Sequence, residues 1–229
     1  MNRFVFVGGS TGIGLAATQL LSQDGHQILH FGRQAGKLAD IKHVFHTSYD
    51  ILSEQPFPSL EGPIDGLVYF PGSITLKPFR SLSLSDFEQD WKINFLGAVK
   101  VLQMLYANLK DSKFASVVLF STVAVQRGMP FHASISSAKA ALEGLVRSLA
   151  AEWAPSIRVN AVAPSLTDSP LASRLLSTDD KRKASAERHP LKRFGSPEDV
   201  AHVVKFLLLP NSSWITGQII HVDGGLSVI

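Results

Sequence analysis

The 229-residue sequence predicts an α/β fold, an open parallel sheet whose strand ends face one ligand-bearing edge, and three observations carry that prediction. Short apolar runs rich in β-branched and aromatic residues alternate along the chain with amphipathic runs. A glycine-rich turn joins the first strand to the first helix. Polar residues collect where the later strands end.

Composition bounds the function classes. With 45% hydrophobic and 18% charged residues, and a length within the range of one α/β domain, residues 1–229 read as a single globular domain without repeats, low-complexity runs or linkers. The formal charge of +3, from 22 Lys and Arg against 19 Asp and Glu, is too mild to argue for nucleic acid, and no basic stripe is interleaved with aromatics. Cysteine is absent, which excludes disulfides, thiolate catalysis and Cys-ligated zinc, and no metal site is expected. The first apolar run, Phe4 to Val7, is too short for a signal peptide, and no stretch reaches the ~18 apolar residues of a membrane span. A soluble cytoplasmic protein is the default expectation.

In order, Phe4 to Val7 is a buried strand, and Gly14 to Leu21 is an amphipathic helix. Between them lie Gly8, Ser10, Thr11, Gly12, Ile13 and Gly14. A helix starting directly after a strand aims unsatisfied N–H groups and its positive dipole end beyond the sheet edge, and glycines let a phosphate approach the backbone. The spacing Gly8-x-x-x-Gly12-x-Gly14 is longer than the Gly-x-Gly-x-x-Gly dinucleotide fingerprint, and a tight turn alone is the other account of it. Gly25 closes the helix, and Gln27 to Phe31 forms a second strand ending at Gly32-Arg33. In a dinucleotide fold that end faces the adenosine ribose, so Arg33 without a neighbouring acid favours NADP(H) over NAD(H), unless it is only a solvated arginine.

His43 to His46 reads as a short third strand, followed by Asp50 and Ile51, where the aspartate either contacts an adenine or forms a turn. Residues 51–63 are too proline-broken for a long helix. Ile64 to Phe70 is the fourth strand, ending near Gly72. Ser85 as N-cap with Glu88 as its capping-box partner starts a helix running to about Leu109. Asn94 interrupts its apolar face, either tying backbone elements together or holding a water near a site.

Phe114 to Phe120 is a fifth strand ending at Ser121-Thr122, Phe131 to Trp153 an alanine-rich helix, and Ile157 to Val162 a sixth strand ending at Pro164-Ser165. Residues 167–189 are weakly patterned, with a basic cluster that suits a solvated face or a lid attracting an anion. Ser196 caps a helix with Pro197 at its first position, running to about Leu208, and residues 215–225 supply a turn and the last strand.

Jointly these motifs resemble the short-chain dehydrogenase/reductase family, in the form that includes the 3-oxoacyl-[acyl-carrier-protein] reductases. The resemblance spans nearly the whole chain: Val7 through Gly14 for the cofactor loop, Ile93-Asn94-Phe95-Leu96-Gly97, Arg158 through Pro164, Arg193 through Ala201, Thr216-Gly217-Gln218 and Val222-Asp223-Gly224-Gly225. It implies a Rossmann-type doubly wound sheet of about seven parallel strands with helices on both faces. It further implies NAD(P)(H), and hydride transfer between a carbonyl and an alcohol, on a small substrate or a carrier-linked acyl chain, in a tetramer or dimer.

By the resemblance, Gly8 through Gly14, Arg33, Asp50, Ile51, Gly72, Lys139 and Ser169 contact the cofactor, Ser169 standing where the family has Thr. Asn94, Thr122 and Lys139 take catalytic positions, Thr122 in place of the family Ser. The family pairs a Tyr and a Lys four apart, so that on one helical face the ammonium stabilises the phenolate. Here Ile135 stands four residues before Lys139, and isoleucine cannot donate a proton. The family's Asn-Asn-Ala-Gly is Tyr69-Phe70-Pro71-Gly72, and Ser165 follows Pro164 where Gly is usual. The expectation is an NADP(H)-dependent carbonyl reductase with a substitute acid, drawn from His132, Ser134, Ser136, Tyr69 or a water on Lys139. The alternative is a catalytically degenerate cofactor-binding subunit that assembles with active relatives.

Overall fold

The computed structural model describes all 229 residues. Seven strands, β1 (Arg3–Val7), β2 (Gln27–Gly32), β3 (Val44–Ser48), β4 (Gly66–Tyr69), β5 (Ala115–Phe120), β6 (Ile157–Pro164) and β7 (Ile219–Val222), form one parallel sheet in the order β3-β2-β1-β4-β5-β6-β7. Chain direction across the sheet reverses between β1 and β4. That switch point opens the crevice in which open α/β sheets bind ligands.

Alternate residues of each strand face opposite layers, which divides the core in two. Val5, Val7, Leu67, Tyr69, Val117, Leu119, Val159 and Ala161 pack beneath α3 (Gly97–Lys110) and α5 (Ala133–Trp153). Phe4, Phe6, Val68, Val118, Phe120 and Val162 pack beneath α1 (Gly12–Gln23) and α7 (Pro197–Leu208). The remaining helices are α2 (Leu84–Trp91), α4 (Val123–Arg127) and α6 (Asp179–Arg188).

Several local expectations need correction. The capping box of α2 is Ser83 with Asp86, not Ser85 with Glu88. Ser83 has the extended backbone that an N-cap requires, whereas Ser85 lies inside the helix and reaches back to the Ser83 hydroxyl. The long helix expected to follow is interrupted by a π-helical turn over Lys92–Leu96, which carries Asn94 and resets the helical register before α3. β3 starts one residue later than expected, because His43 sits at φ +62° and the strand forms only after it, and it ends two residues later, at Ser48. Similarly, α5 begins at Ala133, since Phe131 at φ +70° cannot be helical.

α6 was invisible to periodicity because its only buried residue is Ser185. Thr178 caps it, and Asp179 and Asp180 favour its positive end. By contrast, Ser196 caps α7 as expected, with Pro197 at the first position and Asp199 completing a capping box.

Candidate active site

A cleft of about 1170 Å³ lies along the carboxyl edge of the sheet, at the β1/β4 switch point. Gly8, Ser10, Thr11, Gly12, Ile13, Gly14, Arg33, Asp50, Ile51, Gly72, Asn94, Thr122, Lys139 and Ser169 all line it, and so does Ile135. Residues scattered over most of the chain are brought to one opening because each follows, or packs beside, the end of a parallel strand.

The glycine loop is shaped as a cradle. Gly8, Gly9 and Gly12 have φ of +69°, +81° and +55°, conformations that strain other residues. A Cβ on Gly14 would fall 2.3 Å from the Gly9 Cα, so the helix start and the loop touch backbone to backbone. The side chain of the N-cap, Thr11, makes no cap hydrogen bond, and no acid occupies the first turn of α1. Amides that a capping residue would otherwise satisfy are therefore directed at the cleft, the donor set that a pyrophosphate needs.

Farther along the cleft, Arg33 is exposed and enters no ion pair. Asp50 does form a turn, its Oδ1 accepting from Leu52 N at 3.0 Å, while still lining the cleft. Ser169 lies against Gly12, where a Cβ would meet its side chain at 3.1 Å. Gly72 approaches Asn94 similarly, with 3.3 Å from the place of a Cβ to Oδ1.

At the far end, Asn94 is fully buried and donates from Nδ2 to the Asp90 carbonyl and the Ser73 hydroxyl, both at 2.9 Å. Thr122 caps α4, accepting from Ala124 N at 3.3 Å, and its neighbour Ser121 is buried and donates to Glu143 Oε1 at 2.7 Å. The hydroxyl at this end of β5 that faces the cleft without a carboxylate partner is thus that of Thr122. Lys139 is 7% exposed, and burial lowers its ammonium to about 8, against a smaller opposing pull from Asp90. Ile135, one helical turn earlier, is 4% exposed and gives the cleft an apolar wall where a proton donor would sit.

The structure sorts the substitute acids. Tyr69 is buried, its hydroxyl donates to the Ile93 carbonyl at 2.7 Å, and burial pushes its pKa above the ordinary phenol value. Ser134 is buried against α2, donating to the Asp86 carbonyl at 3.3 Å, and Ser136 donates to the Ala124 carbonyl at 3.4 Å. His132 lines the cleft but precedes α5, so it has no fixed angle on that helix, and its Nδ1 donates to the Pro130 carbonyl at 2.7 Å.

Other groups had no sequence motif to mark them. Asp90 is fully buried, its Oδ1 accepting from Ser73 Oγ at 2.5 Å, and Ser73 lines the cleft. His189 is 2% exposed; its Nδ1 meets the Ser185 carbonyl at 2.7 Å, so that nitrogen carries the proton and Nε2 accepts from Ser165 Oγ at 2.8 Å. Only the departure of Ser165 from the expected Gly hinted at this pair.

A family model described as enoyl-(acyl carrier protein) reductase matches residues 56–227, three quarters of the chain and every strand from β4 onward. The chain belongs to the short-chain dehydrogenase/reductase family. Within it, a 3-oxoacyl-[acyl-carrier-protein] reductase of Aquifex aeolicus is 33% identical over 236 residues, covering 96% of this chain and 94% of that protein. A tropinone reductase homolog of Arabidopsis thaliana is 38% identical over 169 residues, covering 73% of this chain and 64% of its own length. The chain spans just under two thirds of the length of three Arabidopsis thaliana relatives that it matches. Among solved structures, the ligand-free aldohexose dehydrogenase of Thermoplasma acidophilum superposes with a TM-score of 0.88 at 26% identity, covering 100% of this chain and 95% of that one. Short-chain dehydrogenases/reductases bind nicotinamide cofactors, and the glycine cradle and open helix start fit such a group. No helix here is long and apolar enough to cross a membrane.

Proposed function

We propose that this protein is an NADP(H)-dependent oxidoreductase that reduces a small ketone or β-ketoacyl carbonyl, with an atypical proton donor. The observation that supports this reading most is the convergence of Thr122, Asn94 and Lys139 on the cleft that the glycine loop enters. A bound reduced dinucleotide would supply the hydride. Gly8 through Gly14 would hold its pyrophosphate, Arg33 a 2′-phosphate, Asp50 and Ile51 the adenine end, and Gly72, Lys139 and Ser169 the nicotinamide half. The Thr122 hydroxyl would hold the substrate oxygen where negative charge develops. Asn94 keeps the backbone around the π-turn in place through its bonds to Ser73 and Asp90. The proposal places the protein in the cytoplasm as a homo-oligomer, a tetramer or dimer.

Ile135 favours a second reading, a cofactor-binding subunit without turnover that assembles with active relatives. Fluorescence titration with NADPH and NADH, followed by oxidation assays on ketones and β-ketoacyl thioesters, separates the two. Tight NADPH binding with turnover supports the reductase. Binding without turnover on any carbonyl leaves the second reading.

A further inference from the structure

Behind Ser73, which lines the cleft, lies a buried carboxylate that the reading above does not use. Asp90 is 0% exposed on α2, and its two oxygens are treated differently. Oδ1 accepts from Ser73 Oγ at 2.5 Å and from Thr75 Oγ1 at 3.3 Å, while Oδ2 is buried with no hydrogen-bond partner. Ser73, which lines the cleft, also accepts from Asn94 Nδ2, so its hydroxyl proton is committed to Asp90. A buried carboxylate with a free oxygen is costly unless a cation answers it.

The cation is at hand. α2 packs on α5, and the Ser134 hydroxyl ties the two helices by donating to the Asp86 carbonyl. This brings Asp90 to the side of Lys139, whose ammonium is held up by that negative charge against the pull of burial. No ion pair within 4 Å joins them, so the carboxylate acts on the ammonium through its field and does not capture it. Other charges near Lys139 are engaged elsewhere. Asp86 on α2 is paired with Lys77 at 2.8 Å, and Glu143, one turn on along α5, holds Ser121 at 2.7 Å and Arg147 at 3.4 Å. From the sheet side, Tyr69 is hydrogen-bonded to the Ile93 carbonyl.

We propose that Asp90 is a positioning residue that, clamped by Ser73, keeps Lys139 an ammonium facing the cleft, and that Lys139 delivers the proton a phenol would otherwise give. The inference rests on the carbonyl-reduction reading. As the carbonyl carbon takes a hydride from the dinucleotide, the C–O π bond breaks and its electron pair goes to oxygen. An O–H bond then forms to oxygen as one Nζ–H bond of Lys139 breaks, leaving an alcohol, the oxidised dinucleotide and a neutral amine. Solvent returns the proton to Lys139. Ile135, with no proton to offer, leaves the ammonium as the donor on that helical face.

Two measurements test this on the full chain. Competitive labelling with acetic anhydride across pH, read at Lys139 by mass spectrometry, reports the ammonium without any cofactor. Asp90→Asn is expected to lower the Lys139 midpoint by about one pH unit, and Ser73→Ala to lower it by less. In steady-state reduction, Asp90→Asn should lose about fivefold in kcat at pH 8 and recover to within about twofold at pH 6, with little change in KM for NADPH. Thermal melting confirms folding, and Ser73→Ala carries the test if Asp90→Asn does not fold. An unmoved midpoint overturns the inference, as does a uniform loss of kcat at all pH values. If the wild type binds NADPH but reduces nothing, the reduction reading and the proton-delivery step fall together. The labelling midpoint then decides separately whether Asp90 governs Lys139.

Discussion

Ile135 sits one helical turn before Lys139 with its side chain against the cleft, so a phenol built there would lie beside the ammonium. We predict that Ile135→Tyr raises kcat for carbonyl reduction by roughly 10²-fold, the lower end of general acid–base help, measured by NADPH oxidation under saturating substrate. No gain would mean that another group already supplies the proton as well as a phenol does. At the opposite end of the cleft, Arg33 is exposed and unpaired. Arg33→Asp should shift the NADPH-to-NADH affinity ratio toward NADH by about tenfold or more, because a carboxylate repels a 2′-phosphate and accepts from a 2′-hydroxyl. Equal ratios before and after the change would remove the basis for preferring NADP(H). Individual positions such as Arg33, Thr122 and Lys139 were legible in the sequence because each follows a strand end or a motif. Asp90 was not, since a lone aspartate on a helix gives no sign of whether it faces solvent or core.

Between neighbouring strands, β2 and β3 place His30 directly opposite His46, with their Nδ1 atoms 2.9 Å apart. His30 is fully buried, its Nε2 has no partner, and burial together with the nearby His46 lowers its pKa to about 4. The unfolded chain would take this proton near the ordinary histidine value of about 6.5, so between those values the unfolded state binds more protons. The neutral ring's contribution is therefore complete above pH 6.5 and is lost as pH falls toward 4, amounting to about 3 kcal/mol at full protonation. Guanidinium denaturation from pH 7 to pH 4 should show this loss in the wild type and a flatter profile in His30→Leu; parallel profiles would refute it.

Among helices, α7 was legible to its cap because Ser196, Pro197 and Asp199 act within one turn. Ser196→Ala should cost about 1 kcal/mol in the same denaturation assay, the usual worth of an N-cap hydroxyl. α6 and the π-turn at Asn94 were not legible. The first buries no apolar face, and the second depends on how a helix is seated on the sheet.

Across the whole molecule, the sheet and its two layers meet where Gly97 opens α3. A Cβ there would fall 2.1 Å from the Tyr69 hydroxyl oxygen and 2.7 Å from Ile51 Cγ1. Gly97→Ala should therefore break the Tyr69 bond to the Ile93 carbonyl and lift α3 from β4, at a cost of about 3 kcal/mol or more by chemical denaturation. A loss below about 1 kcal/mol would show that the layers yield more easily than their packing implies.

Strand and helix alternation, the glycine cradle between β1 and α1, and the substitution of Ile135 beside Lys139 were all determined by sequence alone. Each rests on residues near one another in the chain, where backbone geometry and side-chain chemistry act directly. Tertiary structure decided which hydroxyl at the end of β5 has no carboxylate partner, that Tyr69 is sealed away, that His189 holds Ser165, and that Asp90 is buried with one oxygen unpartnered. Those outcomes depend on burial and on which helix lies against which. Packing sets the local dielectric and brings distant charges together, and no spacing along the chain encodes either.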